Sequence, residues 1–314
     1  MSYGLESIRL SAIVPTLGRS PLLGDCLDAL RQDGGTGLEI LLVAPKEVLD
    51  RPPVEPLLDR ADHVLATPTN IGFAAANNRA LGESTADYVA TVNDDAVVEP
   101  GWCSTLLEFL DQHPRAAAVQ GVVVRHGDPT RLDGCGLAWN RWWQAVQIGH
   151  GQGVDTAPRE AMEIYGVSAT VAIYRRSALE ALDSDFFDEG FFAYYEDVDL
   201  AGRLRAAGWE SWLVPTARAH HAGSLSGRRL PWRGQQLIYG NRHRVLRRLL
   251  GRGYRRRFPR ILLRDGIDLV RCLARGDGTG GLGILGGWWR AFRDPSPRRR
   301  APGLDMKLLE RFVE

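Results

Sequence analysis

Short apolar runs alternate with amphipathic stretches through the first part of the chain. Residues 10–14, 40–43, 63–66, 88–92 and 117–124 have the length and apolar, β-branched character of strands, and residues 22–31, 74–83 and 102–112 repeat apolar side chains at helical spacing. Strands that alternate with helices predict βαβ units. The expected fold is therefore α/β, with a mostly parallel, mixed sheet covered by helices on both faces. In such sheets ligands bind beyond the carboxyl ends of the strands.

One later stretch departs from simple patterning: Phe187-Asp188-Glu189-Gly190-Phe191-Phe192-Ala193-Tyr194-Tyr195-Glu196-Asp197-Val198-Asp199-Leu200 sets carboxylates among aromatics and then opens a helix. Leu200, Ala201 and Leu204 fall three, four and seven residues after Asp197, so Asp197 sits on the apolar stripe. A carboxylate aimed inward needs hydrogen bonds, a cation or a substrate proton to offset its lost hydration. A first-turn acid that favours the helix dipole is the plainer explanation. Glu196, Asp199 and Arg203 share another face, where Asp199 and Arg203 are expected to pair in solvent.

Three strand ends carry polar residues. Pro15-Thr16-Leu17-Gly18-Arg19 follows the first strand and has groups that suit a base or a phosphate near a helix N-terminus. Thr69-Asn70-Ile71-Gly72-Phe73-Ala74-Ala75-Ala76-Asn77-Asn78 combines a cap, a glycine and a small-residue helix. Capping accounts for Asn70 and Gly72 but not for Asn77-Asn78. The strand ending at Val92 runs into Asn93-Asp94-Asp95, whose carboxylates are hard-cation ligands by type, although an Asx turn uses the same residues.

Composition fits a globular enzyme: 314 residues, 44% hydrophobic and 25% charged, enough for one large α/β domain and an appendage. Cys26, Cys103, Cys135 and Cys272 are far apart and form no CxxC, so neither a zinc knuckle nor a redox pair is signalled. The N-terminus lacks the pattern of a signal peptide, and the longest late apolar stretch, 281–289, is short and rich in glycine. A cytoplasmic chain is expected. The net charge of +1 hides an asymmetry, because residues 225–300 hold 20 Arg and 4 Asp, a balance of +16 against −15 elsewhere. Arginines interleaved with apolar residues over 242–264 suit peripheral contact with an anionic membrane at its inner face. A helical hairpin that pairs its arginines with the acidic part is the competing expectation. Nucleic acid is disfavoured, since no recognition module accompanies the charge. A boundary is expected near 230, with residues 1–230 forming the α/β domain and 231–314 a basic helical region.

Taken in order, the motifs Ile13-Val14-Pro15-Thr16, Asn70-Ile71-Gly72-Phe73-Ala74-Ala75-Ala76-Asn77-Asn78, Asn93-Asp94-Asp95, Phe187 through Leu200, and Val214-Pro215 before His220-His221 resemble those of glycosyltransferase family 2, particularly its rhamnosyltransferase-like bacterial members. That resemblance implies a GT-A (Rossmann-like) fold and metal-dependent, inverting transfer of a sugar from a nucleoside-diphosphate donor to a glycan or lipid-linked glycan acceptor. By it, Asp95 and His221, with His220 as a second choice, would hold Mg²⁺ or Mn²⁺. Thr16, Arg19, Asn70, Asn77 and Asp94 fall on the nucleotide-sugar side, and Asp197 matches the general base. Ser168, Tyr194, Tyr195 and Glu196 fall on the acceptor side, and the aromatics Phe191 and Phe192 are further candidates for sugar-stacking walls.

The chain departs from the family pattern in two places. Val43-Ala44-Pro45-Lys46 lacks the acidic residue usual after the second strand, and Ser168-Ala169-Thr170 replaces a small Ser-Gly-Ala step. The insert with Trp139, Trp142 and Trp143 matches no motif and suits either a core cluster or an acceptor platform. Two other functions remain compatible with the residues: a sugar-nucleotide nucleotidyltransferase, for which Pro15–Arg19 is a poor basic loop, and a non-catalytic nucleotide-sugar-binding protein.

Overall fold

The computed structural model describes residues 8–182, 184–223, 231–294 and 309–313. Strand β1 (Leu10–Pro15) is followed by α1 (Leu23–Gly34), β2 (Leu38–Pro45), the short α2 (Lys46–Leu49), β3 (His63–Thr67), α3 (Phe73–Glu83) and β4 (Tyr88–Val92). Next come β5 (Ala96–Val98), α4 (Trp102–Gln112), β6 (Ala116–Arg125), β7 (Asp128–Gly134) and three small strands, β8 (Leu137–Trp139), β9 (Ala145–Gln147) and β10 (Met162–Ile164). The chain continues through β11 (Val171–Arg175), α5 (Arg176–Glu180), α6 (Glu196–Ala206) and β12 (Glu210–His221), and ends in α7 (Pro231–Leu250), α8 (Arg252–Ala274) and α9 (Gly278–Arg293).

Unbroken apolar runs became central strands: every residue of β2 and β4 is buried. The main sheet runs β10-β12-β6-β11-β4-β1-β2-β3, with β5 added on β12 and β7 on β6. Pairing is parallel for β1 with β2 and β4, for β2 with β3 and for β6 with β12. Strand β11 lies antiparallel between β4 and β6. That reversal is what builds a site, because residues 168–170, which lead into β11, meet the exit of β4.

The helices are fixed by polar contacts as well as by apolar faces. Helix α4 has no cap of its own, and Asp33 of α1 supplies one by accepting from the N–H groups of Gly101 (2.5 Å) and Cys103 (2.6 Å). At the other end of the chain, α7 shares a core with the α/β part, where Val245, Leu246 and Leu249 pack with Trp139, Tyr165 and Val198. Residues 309–313 return to the same core through a bridge between Trp139 and Val313. Trp139 and Trp143 are thus core residues, while Trp142 is half-buried with the Arg260 guanidinium 5.2 Å from its ring centroid.

The expected membrane segment 242–264 needs correction in its first half. Arg242 is buried and donates to the carbonyls of Trp142 and Trp143 and to Asp265. Arg248 is buried between Asp199 and Asp188. Guanidinium groups desolvated against carboxylates are committed to holding helices together, not to a surface. The glycines of 281–289 are explained by packing, since a Cβ at Gly283 would stand 2.5 Å from the Trp232 carbonyl oxygen and one at Gly287 would stand 2.7 Å from the Tyr239 Cβ. They let α9 lie directly on α7. No helix among the described residues is long and apolar enough to cross a membrane.

Candidate active site

Four strand ends converge here. At the exit of β1, the Thr16 hydroxyl accepts from the Gly18 N–H at 2.9 Å and donates to Asp94 Oδ2 at 2.5 Å. Arg19 stands three residues farther on, exposed. Asp94 and Asp95 follow β4. Burial raises the Asp94 carboxyl to about 6 and the neighbouring Asp95 charge pushes the same way, while the Thr16 hydroxyl works against them. Asp95 is buried, and its Oδ1 lies 3.1 Å from His221 Nε2 at the end of β12.

The alternation of β12 separates the two histidines. His221 points inward to Asp95, whereas His220 Nε2 lies 2.8 Å from Glu99 Oε1 on the other side. His221 Nδ1 meets Asp133 Oδ2 at 2.8 Å, a contact from β7 that sequence reasoning missed. Burial alone would lower the His221 pKa, but Asp133 and Asp95 outweigh it and raise it to about 9. His221 Nε2 is buried and has no partner with hydrogen-bond geometry. With Nδ1 held by a carboxylate, Nε2 is oriented as a metal-ligating imidazole nitrogen is. Asp95 and His221 therefore offer one oxygen and one nitrogen to a divalent cation, two protein donors that fit a site completed by a phosphate-bearing ligand. Among the described residues no cluster of three ligating side chains is formed.

Asp197 opens α6. Its Oδ1 accepts from the Val198 N–H at 2.8 Å and its Oδ2 from the Ala169 N–H at 3.3 Å. One residue on, the Thr170 carbonyl accepts from the Asn93 N–H at 2.8 Å. Segment 168–170 thus joins the carboxylate of α6 to the Asn-Asp-Asp turn of β4. Ser168 is buried, with its N–H on Gln120 Oε1 at 2.7 Å and its hydroxyl 3.0 Å from that of Thr170. Asp197 keeps some exposure, yet the dense shell around it raises its pKa to about 6 by desolvation, against the backbone N–H groups that favour the anion.

Its neighbours differ from expectation. Asp199 is not in solvent: it is buried and bridges Arg203 and Arg248, each at 2.9 Å. Glu196 is also buried, its Oε2 has no partner, and desolvation followed by the Asp197 charge raises its pKa well above the ordinary value. That environment disfavours the anionic form of Glu196. The Tyr195 ring packs on the core shared by Trp139 and α7, and Phe191 is wholly buried beneath the guanidinium groups of Arg244 and Arg248. The Phe191 ring is not free to form a sugar wall, while Tyr195 is half-buried against that core. Phe192 and Tyr194 stay half-buried on the loop.

That loop is held by residues outside the predicted set. Phe192, Tyr194 and Tyr195 have φ of 66°, 68° and 71°, a left-handed backbone that non-glycine residues adopt at a cost. Asn241 of α7, itself buried, directs its Nδ2 at the carbonyls of Phe191, Ala193 and Tyr194 at 2.8 to 3.0 Å. Asn78 of α3 takes the Phe187 N–H at 2.9 Å and donates to the Phe187 carbonyl at 2.8 Å. Gly72 adds a close approach: a Cβ there would stand 2.6 Å from the Phe192 carbonyl oxygen. Asn70 is exposed and accepts from the Gly72 N–H at 3.0 Å. Asn77 does not reach a pocket, being fully buried with its Nδ2 on the Phe73 carbonyl. The sequence signal lay in the Asn77-Asn78 pair, and helical phase gives the outward role to Asn78.

After β2, where an acidic residue was missed, Ala44 is buried and Val48 and Val54 crowd Gly18. Apolar packing occupies that position.

Residues 11–183, more than half of the chain, match the family model described as Glycosyl transferase family 2. An N-acetylglucosaminyl-diphospho-decaprenol L-rhamnosyltransferase of Mycobacterium tuberculosis is 31% identical over 194 residues, covering 52% of this chain and 60% of that protein. The chain thus spans about three fifths of that relative. Among solved structures, GalNAc-T7 with UDP, GalNAc and Mn²⁺ superposes with a TM-score of 0.61 at 14% identity, over 78% of this chain and 49% of that one. The mannosyltransferase PcManGT from Pyrobaculum calidifontis, in complex with GDP-Man and Mn²⁺, gives 0.54 at 17% identity, over 92% of this chain and 88% of that one. Both share its fold.

Proposed function

The chain belongs to glycosyl transferase family 2, and from that premise we propose that it transfers a sugar, with inversion, from a nucleoside-diphosphate donor to a hydroxyl of a lipid-linked glycan. The observation that carries the reading is segment 168–170, whose Ala169 N–H holds the Asp197 carboxylate while its Thr170 carbonyl holds the turn that bears Asp94 and Asp95. A base and a cation-binding carboxylate are thereby tied to one short piece of chain. Asp197 accepts the proton of the acceptor hydroxyl as that oxygen bonds to the anomeric carbon, and the bond from that carbon to the diphosphate oxygen breaks. A divalent cation held by Asp95 and His221 would supply charge to offset that developing on the departing diphosphate. An imidazole in the donor set suits Mn²⁺ better than Mg²⁺. Thr16 positions Asp94 toward the nucleotide side, with Arg19 and Asn70 at the rim.

The rhamnosyltransferase relative supports a rhamnose donor, for which we propose dTDP-rhamnose, and a polyprenyl-diphosphate-linked acceptor. Such an acceptor brings the protein to the membrane surface. Calorimetry with nucleoside diphosphates, with and without Mn²⁺, tests the site directly. Asp95→Ala is expected to remove the metal-dependent part of binding, and Asp197→Asn to keep it while abolishing transfer. Metal-dependent binding unchanged in Asp95→Ala would refute the cation site, and substantial turnover by Asp197→Asn would refute the base. Nucleotide binding by wild type with neither donor hydrolysis nor transfer would favour a binding protein instead.

A further inference from the structure

The basic region that the sequence marks as one block divides in the structure into a buried half and a surface. Helix α8 leaves Leu262, Leu263, Val270 and Leu273 exposed, and the helical period gathers them within an arc of about 100°. Helix α9 leaves Leu282, Leu285, Trp289 and Phe292 exposed within about 80°, Phe292 at 76%. The two helices run antiparallel. Leu269 and Leu273 approach Gly281, while farther back along both helices Asp265 accepts from the Trp288 indole at 3.0 Å. In each helix the exposed apolar arc begins beside that seam and turns away from it in the sense of the chain. For antiparallel helices those rotations are opposite in space, so both arcs open on one side of the hairpin and form a single apolar face.

Charge frames the face. Arg252, Arg255 and Arg256 are exposed at the start of α8, in phase with its apolar arc or next to it, and no carboxylate among the described residues pairs with them. At the same end of the hairpin, the Arg293 guanidinium stacks 4.3 Å from the Trp289 ring centroid. The acidic groups of the hairpin are engaged or distant: Asp265 is buried, Asp268 is paired with Arg264 at 2.8 Å, Asp277 caps α9 at the opposite tip, and Asp294, at the arginine end, lies 3.6 Å from the Arg244 guanidinium of α7. Apolar side chains with tryptophan and arginine at one margin match the interface of an anionic bilayer, where rings and alkyl groups enter the acyl boundary and guanidinium groups meet lipid phosphates. The arginine-rich end is also the end nearest loop 187–195, because Arg290 donates to the Gly190 carbonyl at 2.9 Å and Arg244 lies 3.6 Å from Asp294.

We propose that the joint α8–α9 face docks the protein onto an anionic lipid leaflet, with the arginine end at the headgroups beside loop 187–195. The inference deepens the proposed function, resting on it for the lipid-linked acceptor, but lipid binding itself needs neither donor nor acceptor. Flotation of the full chain with phosphatidylglycerol-containing vesicles, and with phosphatidylcholine vesicles as control, tests it at low and high salt. Wild type is expected to float with the anionic vesicles and to be released by salt from the arginine contacts. Leu263→Glu with Phe292→Glu is expected to weaken partitioning by at least about tenfold, since each replaces an apolar group that would enter the acyl boundary by a charge. Both positions are exposed, so circular dichroism and the melting temperature should not change. Arg252, Arg255 and Arg256 changed together to Gln should reduce anionic selectivity more than binding to phosphatidylcholine. Absence of flotation, equal binding by the double-Glu variant, or a wild-type dimer in light scattering that the double-Glu change dissociates without any flotation would each overturn the proposal. Transfer to a soluble acceptor by a protein that does not float would leave the enzymatic reading standing, and flotation without nucleotide binding would do the reverse.

Discussion

At the scale of single residues, Asp197 carries opposed demands. Desolvation raises its pKa from the ordinary value to about 6, so the group is ionised at neutral pH but costs folding free energy to keep so. The raised value means that the folded state holds the proton more tightly than the unfolded one. The cost is therefore absent below about pH 4, where both states are protonated, grows between the two pKa values, and is complete above about 6. Asp197→Asn should be more stable than wild type by about 3 kcal/mol at pH 8, the gap closing toward pH 4. Urea unfolding at the two pH values measures it, and equal stability at pH 8 would contradict the environment described. The same group predicts an acid limb in wild-type kcat near pH 6. This residue was legible from sequence because an inward phase and a charge conflict locally. Asp199 was not, since Arg248, which buries it in an ion pair, comes from α7, far away in the chain.

At the scale of elements, long apolar strands could be read directly, and β1, β2 and β4 needed no tertiary information. The three-residue strands β5, β8, β9 and β10 could not, being too short to show a period, and no local pattern gives the antiparallel place of β11 between β4 and β6. The loop 187–195 before α6 is the clearest case of an element that its own sequence does not specify. Three non-glycine residues at positive φ persist only if something outside holds them, and Asn241 and Asn78 do so from helices on either side. Asn241→Leu keeps the volume and removes the donors. It should lower kcat on the order of tenfold to a hundredfold through misplaced loop geometry. Metal-dependent nucleotide binding should stay near wild type, because Thr16, Asp95 and His221 lie on other elements. A change confined to nucleotide affinity would show that Asn241 does not act through the loop.

At the scale of the whole molecule, the region after residue 230 looked like an appendage because its charge sets it apart, yet charge is also how it is joined on. Arg244 and Arg248 reach Asp188 and Asp199 of the α/β part, so the arginines of α7 satisfy acids in and beside the loop that precedes Asp197. Those contacts depend in turn on how α7 is seated against α8 and α9. The seat is Asp265, wholly buried, whose carboxylate receives Arg242, His243 Nε2 at 3.0 Å and the Trp288 indole at 3.0 Å, one partner or more from each helix that packs on it. Removing one member of such a group leaves a desolvated guanidinium without a counter-charge, which typically costs about 3–5 kcal/mol. Asp265→Ala is expected to lose stability in that range by urea unfolding, whereas Leu263→Ala on the exposed face should lose under about 0.5 kcal/mol. The larger loss should also reach the reaction, because α7 carries Asn241. With the variant still folded, kcat should fall while metal-dependent nucleotide binding holds. A folded Asp265→Ala protein with wild-type kcat would mean that the three helices can shift without moving the loop that presents Asp197.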